Sequence, residues 1–198
     1  MYKRPLIIFE GIEGSGKSTQ INKVAKYLEK NKIKYIKIRE PGGSSNSEKI
    51  RSLLLNKESN FNRLTDLFLY MASRNENIVK ILSKNYNKKV ILIDRFIYSS
   101  IAYQHYGMKI DIKFINLLNK MILKNIKPTY IFLHTVSINN MIIRLKKRKQ
   151  NNRYDNFNKS FYRRVQGGFI KALKRKKNVS IINSNNNIEN NTFKIINK

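Results

Sequence analysis

The chain of 198 residues has no cysteine. Disulfides, a thiolate nucleophile and cysteine-ligated metals are therefore excluded, although the redox compartment stays open. Its two histidines, His105 and His134, stand apart without metal-ligand spacing, so neither is assigned a role. No apolar run approaches the roughly 18 residues of a membrane span. The apolar stretch near the N-terminus meets Glu10 too soon to be a signal-peptide core. The expectation is a soluble cytoplasmic protein with no membrane partner. Acidic side chains are scarce as well, 12 against 41 Lys and Arg, for a net charge of +29.

That charge invites a nucleic-acid reading. Composition offers a simpler cause. The chain carries 29 Ile, 29 Lys and 27 Asn, all with A/T-rich codons, so base composition can drive Lys and Asn onto tolerant surfaces. The clusters Lys146-Lys147-Arg148-Lys149 and Lys174-Arg175-Lys176-Lys177 fall where the pattern reads helix, and such runs are usually solvated faces. No specific nucleic-acid partner is expected, only salt-sensitive sticking to polyanions.

Apolar residues make up 41%, enough for a core. Strand patterns fall at 5–10, 33–39, 89–94, 129–133 and 178–183. Helical patterns fall at 17–31, 47–56, 62–86, 97–106, 111–124, 137–149, 158–176 and 189–197. Ser137 is a plausible N-cap, and 150–157 reads as a loop or lid. Strands alternating with helices imply right-handed βαβ units, hence a three-layer α/β domain with a five-stranded parallel sheet over 1–198. Ligands in such folds bind at the carboxyl ends of the strands.

Residues 11–18, GIEGSGKS, match G-x-x-x-x-G-K-[ST] between an apolar strand and a helix. Gly11, Gly14 and Gly16 allow a tight backbone whose N–H groups, with those of Ile12, Glu13, Ser15 and Thr19 nearby, face an anion. The following helix adds its positive N-terminus. Lys17 would reach the β- and γ-phosphates of ATP, and Ser18 would ligate Mg²⁺. Asp94, ending VILID, is the second candidate Mg²⁺ ligand. Arg95 can fork onto another phosphate. GTPase base-recognition motifs are absent.

Six segments in order, FEGIEGSGKST, REPGG, EKIRSLLL, LFLYMASR, DRFIYSSIAYQ and NRYD, make nearly the whole chain resemble bacterial thymidylate kinases. The resemblance implies a P-loop kinase fold, transfer of the γ-phosphoryl of ATP to dTMP, and a homodimer. It implies that Glu13 lies near the acceptor 3′-hydroxyl and that Arg51 and Arg95 grip the acceptor phosphate. Tyr70 would stack on thymine. Arg74, Ser100 and Gln104, with Ser99 beside them, would read the base, and Tyr103 would pack against the 2′ carbon. Arg144 would lie along adenine. No variable position of the P-loop is basic, so the catalytic arginine would be Arg148 or Arg153, in a lid at about 148–158. Where the family usually has Asp and then a helix-starting Pro, this chain has Thr135 and Ile138; Asp155 stands where Glu is usual. Two other readings are a P-loop kinase for a different acceptor and a nucleic-acid-stimulated ATPase.

Overall fold

The computed structural model describes residues 4–148 and 152–198. Lys149, Gln150 and Asn151, part of the expected lid and of one basic cluster, lie outside the described residues. Five strands form one parallel sheet: β1 (Leu6–Glu10), β2 (Tyr35–Arg39), β3 (Val90–Asp94), β4 (Tyr130–Thr135) and β5 (Val179–Asn183), in the order β2-β3-β1-β4-β5. The helices are α1 (Lys17–Lys30), α2 (Ser45–Leu55), α3 (Arg63–Asn77), α4 (Ser83–Asn85), α5 (Ile97–Ser100), α6 (Ile112–Leu123), α7 (Ile138–Lys146), α8 (Lys159–Leu173) and α9 (Ile188–Ile196).

The strands alternate faces with period two. Phe9, Leu92, Phe132 and Ile182 pack on Ile21, Val24, Ala25 and Leu28 of α1 and on Ile195 of α9. Leu6, Ile8, Ile91, Ile93, Ile131 and Leu133 pack on the other layer, where α7 supplies Met141 and Leu145 and α8 supplies Val165 and Phe169. Each of the larger side chains, fully buried, stabilises by roughly 1.5–3 kcal/mol. The expected three layers are thus present: the inner strands β1, β3 and β4 are largely apolar because both faces are covered, while the edge strands β2 and β5 keep exposed positions such as Lys37, Arg39 and Ile181.

Three expectations change. The helix expected over 62–86 is interrupted by a π-helical turn at Ile78–Leu82. The helix expected over 97–106 is α-helical only to Ser100 and π-helical from Ile101 to Gly107. Here the chain presses on α8: a Cβ on Gly168 would lie 2.6 Å from the Tyr106 ring. Apolar spacing cannot separate 3.6 from 4.4 residues per turn over so short a stretch, and π-bulges cluster at functional sites. Finally, the stretch read as a loop contains a 3₁₀ turn, Arg153–Asn156, closed by a capping box between Asn152 and Asp155. Ser137 does cap α7, accepting from Asn140 N, so Thr135 and Ile138 cost that helix no cap.

Candidate active site

Parallel register sets Phe9 against Asp94, so the ends of β1 and β3 emerge side by side. From β1 the chain enters the loop 11–16. Gly11 has φ 141°, and a Cβ there would lie 2.3 Å from the His134 carbonyl oxygen, which only glycine avoids. Among the described residues, the six other helices of nine or more residues are capped by a side chain: Ser44, Asn62, Asp111, Ser137, Asn158 or Asn187. Helix α1 is not; Gly16 stands at its N-cap in the left-handed conformation. Its first-turn N–H groups are therefore left to an anion.

Lys17 is buried and donates from Nζ to the carbonyls of Gly11 and Ile12, each at 2.9 Å, and to Ser15 Oγ at 3.3 Å. Burial, and then the charge of Arg95, bring its pKa down to about 8. Ser18 Oγ donates to Asp94 Oδ2 at 2.8 Å. A hydroxyl and a carboxylate oxygen are hard donors suited to Mg²⁺. The described residues hold no cluster of three His, Cys, Asp or Glu able to bind a metal. An ion there would complete its shell from phosphate and water, as Mg²⁺ commonly does.

Arg95 has φ 68°, an uncommon conformation that turns its side chain back toward the P-loop. It donates to Gly11 O and to Glu13 Oε1, both at 2.8 Å, and its guanidinium lies 5.1 Å from the centre of the Tyr103 ring. The Tyr103 hydroxyl donates to Glu13 Oε2. Arg51, from α2, donates to Pro41 O at 2.6 Å. Arg74 is 2% exposed and held on every side: by Glu40 at 2.7 Å, Asn119 at 2.8 Å, Ser100 at 2.9 Å and the Phe96 carbonyl at 3.0 Å. A guanidinium has five N–H groups, so Arg74 retains little donor capacity beyond this cage.

One cavity gathers Glu13, Lys17, Ser18, Arg51, Tyr70, Arg74, Asp94, Arg95, Ser99, Ser100, Tyr103, Gln104 and Arg148. Two of the expected arginines stand off it. Arg144 flanks the P-loop, donating to Gly14 O at 3.0 Å and Ser184 O at 2.6 Å. Arg153 points to Asp66, to Ser59 O at 3.1 Å and to the Phe61 ring, while Arg148 pairs with Asp155 at the cavity wall. Between the two lid arginines, only Arg148 meets the cavity.

Reading the residues in line missed several participants. Glu10, fully buried, accepts from the backbone N–H of Phe96 at 3.0 Å and of Ser99 at 3.2 Å, and from Ser99 Oγ at 2.6 Å. It thereby fastens the start of α5 to the end of β1. Burial, only partly offset by the Ser99 hydrogen bond, holds its carboxyl above the usual range. Glu40 and Tyr154 also line the cavity. Both sit inside the segments REPGG and NRYD, a signal that was present without pointing to their partners. Asn119 had no such signal; it reaches Arg74 from the middle of α6.

Comparison with known proteins identifies the family and the fold. The family model described as Thymidylate kinase matches residues 9–195. The chain is 36% identical over 188 residues to the thymidylate kinase of Kosmotoga olearia, covering 92% of this chain and 89% of that one. It is 37% identical over 188 residues to that of Caldicellulosiruptor saccharolyticus, covering 94% and 91%. The crystal structure of thymidylate kinase from Ehrlichia chaffeensis superposes with a TM-score of 0.80 at 32% identity, covering 99% of this chain and 98% of that one.

Proposed function

The chain belongs to the thymidylate kinase family, and from that premise we propose how its residues divide the work of moving the γ-phosphoryl of ATP to dTMP, giving dTDP and ADP. The observation that carries the assignment is Arg95. It touches the P-loop through Gly11 and Glu13 and the facing wall through Tyr103, which supports a donor and an acceptor held in one cavity.

Phosphoryl transfer depends on positioning and on neutralising charge. The N–H groups of the P-loop and of α1 hold the donor phosphates, with Lys17 at the β–γ junction and Arg144 along the adenine side. Ser18 and Asp94 would hold Mg²⁺, which when bound screens the phosphate charge. Arg51 and Arg95 grip the acceptor phosphate. The attacking oxygen is already ionised at neutral pH, so no strong base is required. Arg148 supplies charge to the transferring group as the lid arginine.

On the acceptor side, Tyr70 stacks on the base and Tyr103 fills the space beside the 2′ carbon. Glu13 lies by the sugar and holds both Arg95 and Tyr103. Ser99, Ser100 and Gln104 line the same wall, and Arg74, with one N–H left outside its cage, meets the base edge. The 198 residues act as a single kinase domain. No helix among the described residues is long and apolar enough to cross a membrane, and soluble nucleotides as substrates suit a cytoplasmic location.

A homodimer would form on α3 and α6. Leu64, Phe68, Leu117 and Met121 are exposed there, and Phe68 meets Phe114 edge-to-face with ring centres 6.1 Å apart. Contiguous exposed apolar patches mark interaction sites. Light scattering of Phe68→Asp should report a monomer where the unmutated chain gives a dimer.

An ADP-release assay with ATP, Mg²⁺ and single monophosphates tests the reaction. Release should depend on dTMP. Folded protein whose ADP release ignores dTMP would refute the reading.

A further inference from the structure

We propose that Asp66 is a positioning residue for phosphoryl transfer: from α3 it anchors the 3₁₀ turn that holds Arg148 at the cavity. The proposal rests on the reading of Arg148 as the lid arginine.

Asp66 stands in the first turn of α3 and is 3% exposed. Both its oxygens are engaged by the lid turn. Oδ1 accepts from Arg153 Nη2, and Oδ2 accepts from the Tyr154 hydroxyl at 3.0 Å. Arg153 is further tied to Ser59 O and packs over the rings of Phe61 and Tyr154. The next residue but one, Asp155, points the other way. Its Oδ2 closes the capping box with Asn152 N at 2.9 Å, and its Oδ1 accepts from Arg148 Nη1 at 3.3 Å. An unbroken set of contacts therefore runs from Asp66 through residues 153–155 to Arg148.

The placement of the anchor on α3 has a consequence. Asp66, Tyr70 and Arg74 follow at i, i+4 and i+8, so they share one helical face. Tyr154 leaves its bond to Asp66 and meets the rings of Tyr70 and Tyr103 edge-on, with centres 5.9 and 6.3 Å away. The surface that receives the base and the anchor of the lid turn are thus parts of one rigid element. A buried ion pair is a poor source of stability, because desolvation offsets its attraction. It does demand one geometry, and here the geometry it demands is that of the 3₁₀ turn whose Asp155 pairs with Arg148.

The test is a double-mutant cycle of Asp66→Asn with Arg148→Ala, reading kcat and KM for both nucleotides. Asp66→Asn should lower kcat by about 10- to 100-fold, the cost of a small misplacement, with little change in KM for dTMP. In the Asp66→Asn background, Arg148→Ala should cost much less than it costs alone. If Asp66→Asn does not fold by circular dichroism, Arg153→Ala takes its place in the cycle with the same expectation. Unchanged kcat in the anchor variant, or additive losses, would overturn the proposal. Arg148→Ala that is silent on its own strikes the lid-arginine reading itself, and does so in a different variant.

Discussion

The Tyr103 ring lies under the Arg95 guanidinium while its hydroxyl bonds to Glu13, which also holds Arg95. Ring and hydroxyl therefore serve different ends, and substitution separates them. On the proposed reading the ring bulk is what keeps out a 2′-hydroxyl, so Tyr103→Phe should still reject ribose. Tyr103→Ala should relax that rejection, since overpacking by one group costs about 1–3 kcal/mol. Ratios of kcat/KM for dUMP over UMP check both. UMP turned over as well as dUMP by the unmutated protein would contradict the acceptor wall as described.

Lys17 is charged at neutral pH, but its folded pKa lies near 8. The protonated form is the one that grips phosphate, so kcat/KM for ATP should fall as pH rises through about 8. Bound phosphates favour the proton, so kcat should hold to higher pH. Lys17→Ala should abolish turnover while the chain stays folded. A flat kcat/KM profile to pH 10 speaks against the assignment.

Arg148 and Arg153 should behave differently. If Arg148 is the lid arginine proposed above, Arg148→Ala should by analogy with arginine fingers cost up to about 10³–10⁵ in kcat with smaller effects on binding. Arg153→Ala acts only through the turn and should cost less. Single-turnover kinetics of the two variants rank them; the reverse order would return the role to Arg153.

Glu40 bonds to Arg74 Nε, and burial holds its carboxyl above the usual range although Arg74 draws it down. Glu40 Oε1 has no partner among the described residues. Glu40→Gln keeps the shape and weakens the clamp. Asn119→Ala opens the cage from α6. Both should raise KM for dTMP and narrow its preference over dCMP, with kcat less affected. A change in kcat alone would place these residues outside base recognition.

His134 is fully buried, stacked on Phe9, with Nδ1 near Ser184 Oγ and Nε2 without a partner among the described residues. Burial, then the charge of Lys17, bring its pKa down to about 3 from 6.5. The unfolded chain binds this proton first. Stability from this site is therefore complete above about pH 6.5 and declines as pH falls toward 3, by on the order of a few kcal/mol. His134→Leu removes the buried unpaired nitrogen and should flatten that acid limb in thermal melts without lowering Tm at pH 7. A variant with the same acid limb would place the proton elsewhere.

The layers, the five strands and the phosphate loop were legible in line because each rests on a local pattern. Alternation in IKYIKIR, the apolar run in VILID and glycines before Gly16-Lys17 report conditions that neighbouring residues impose on each other. The π-helical turns were not legible. The one at Ile101–Gly107 lies where the chain presses against α8, a contact between segments about 60 residues apart.

By itself, the sequence determined which residue types enter the site. Lys17, Arg51, Tyr70, Asp94, Arg95, Tyr103 and Arg148 could all be named from motif and order, and the cavity holds them all. Tertiary structure alone decided what each one faces. It put Arg148 on the cavity and Arg153 on Asp66, caged Arg74 with Glu40 and Asn119, and buried His134 beside the P-loop. The reason is physical. A side chain's role depends on which donors, acceptors and charges surround it after burial, and those partners come from segments that share no local pattern with it.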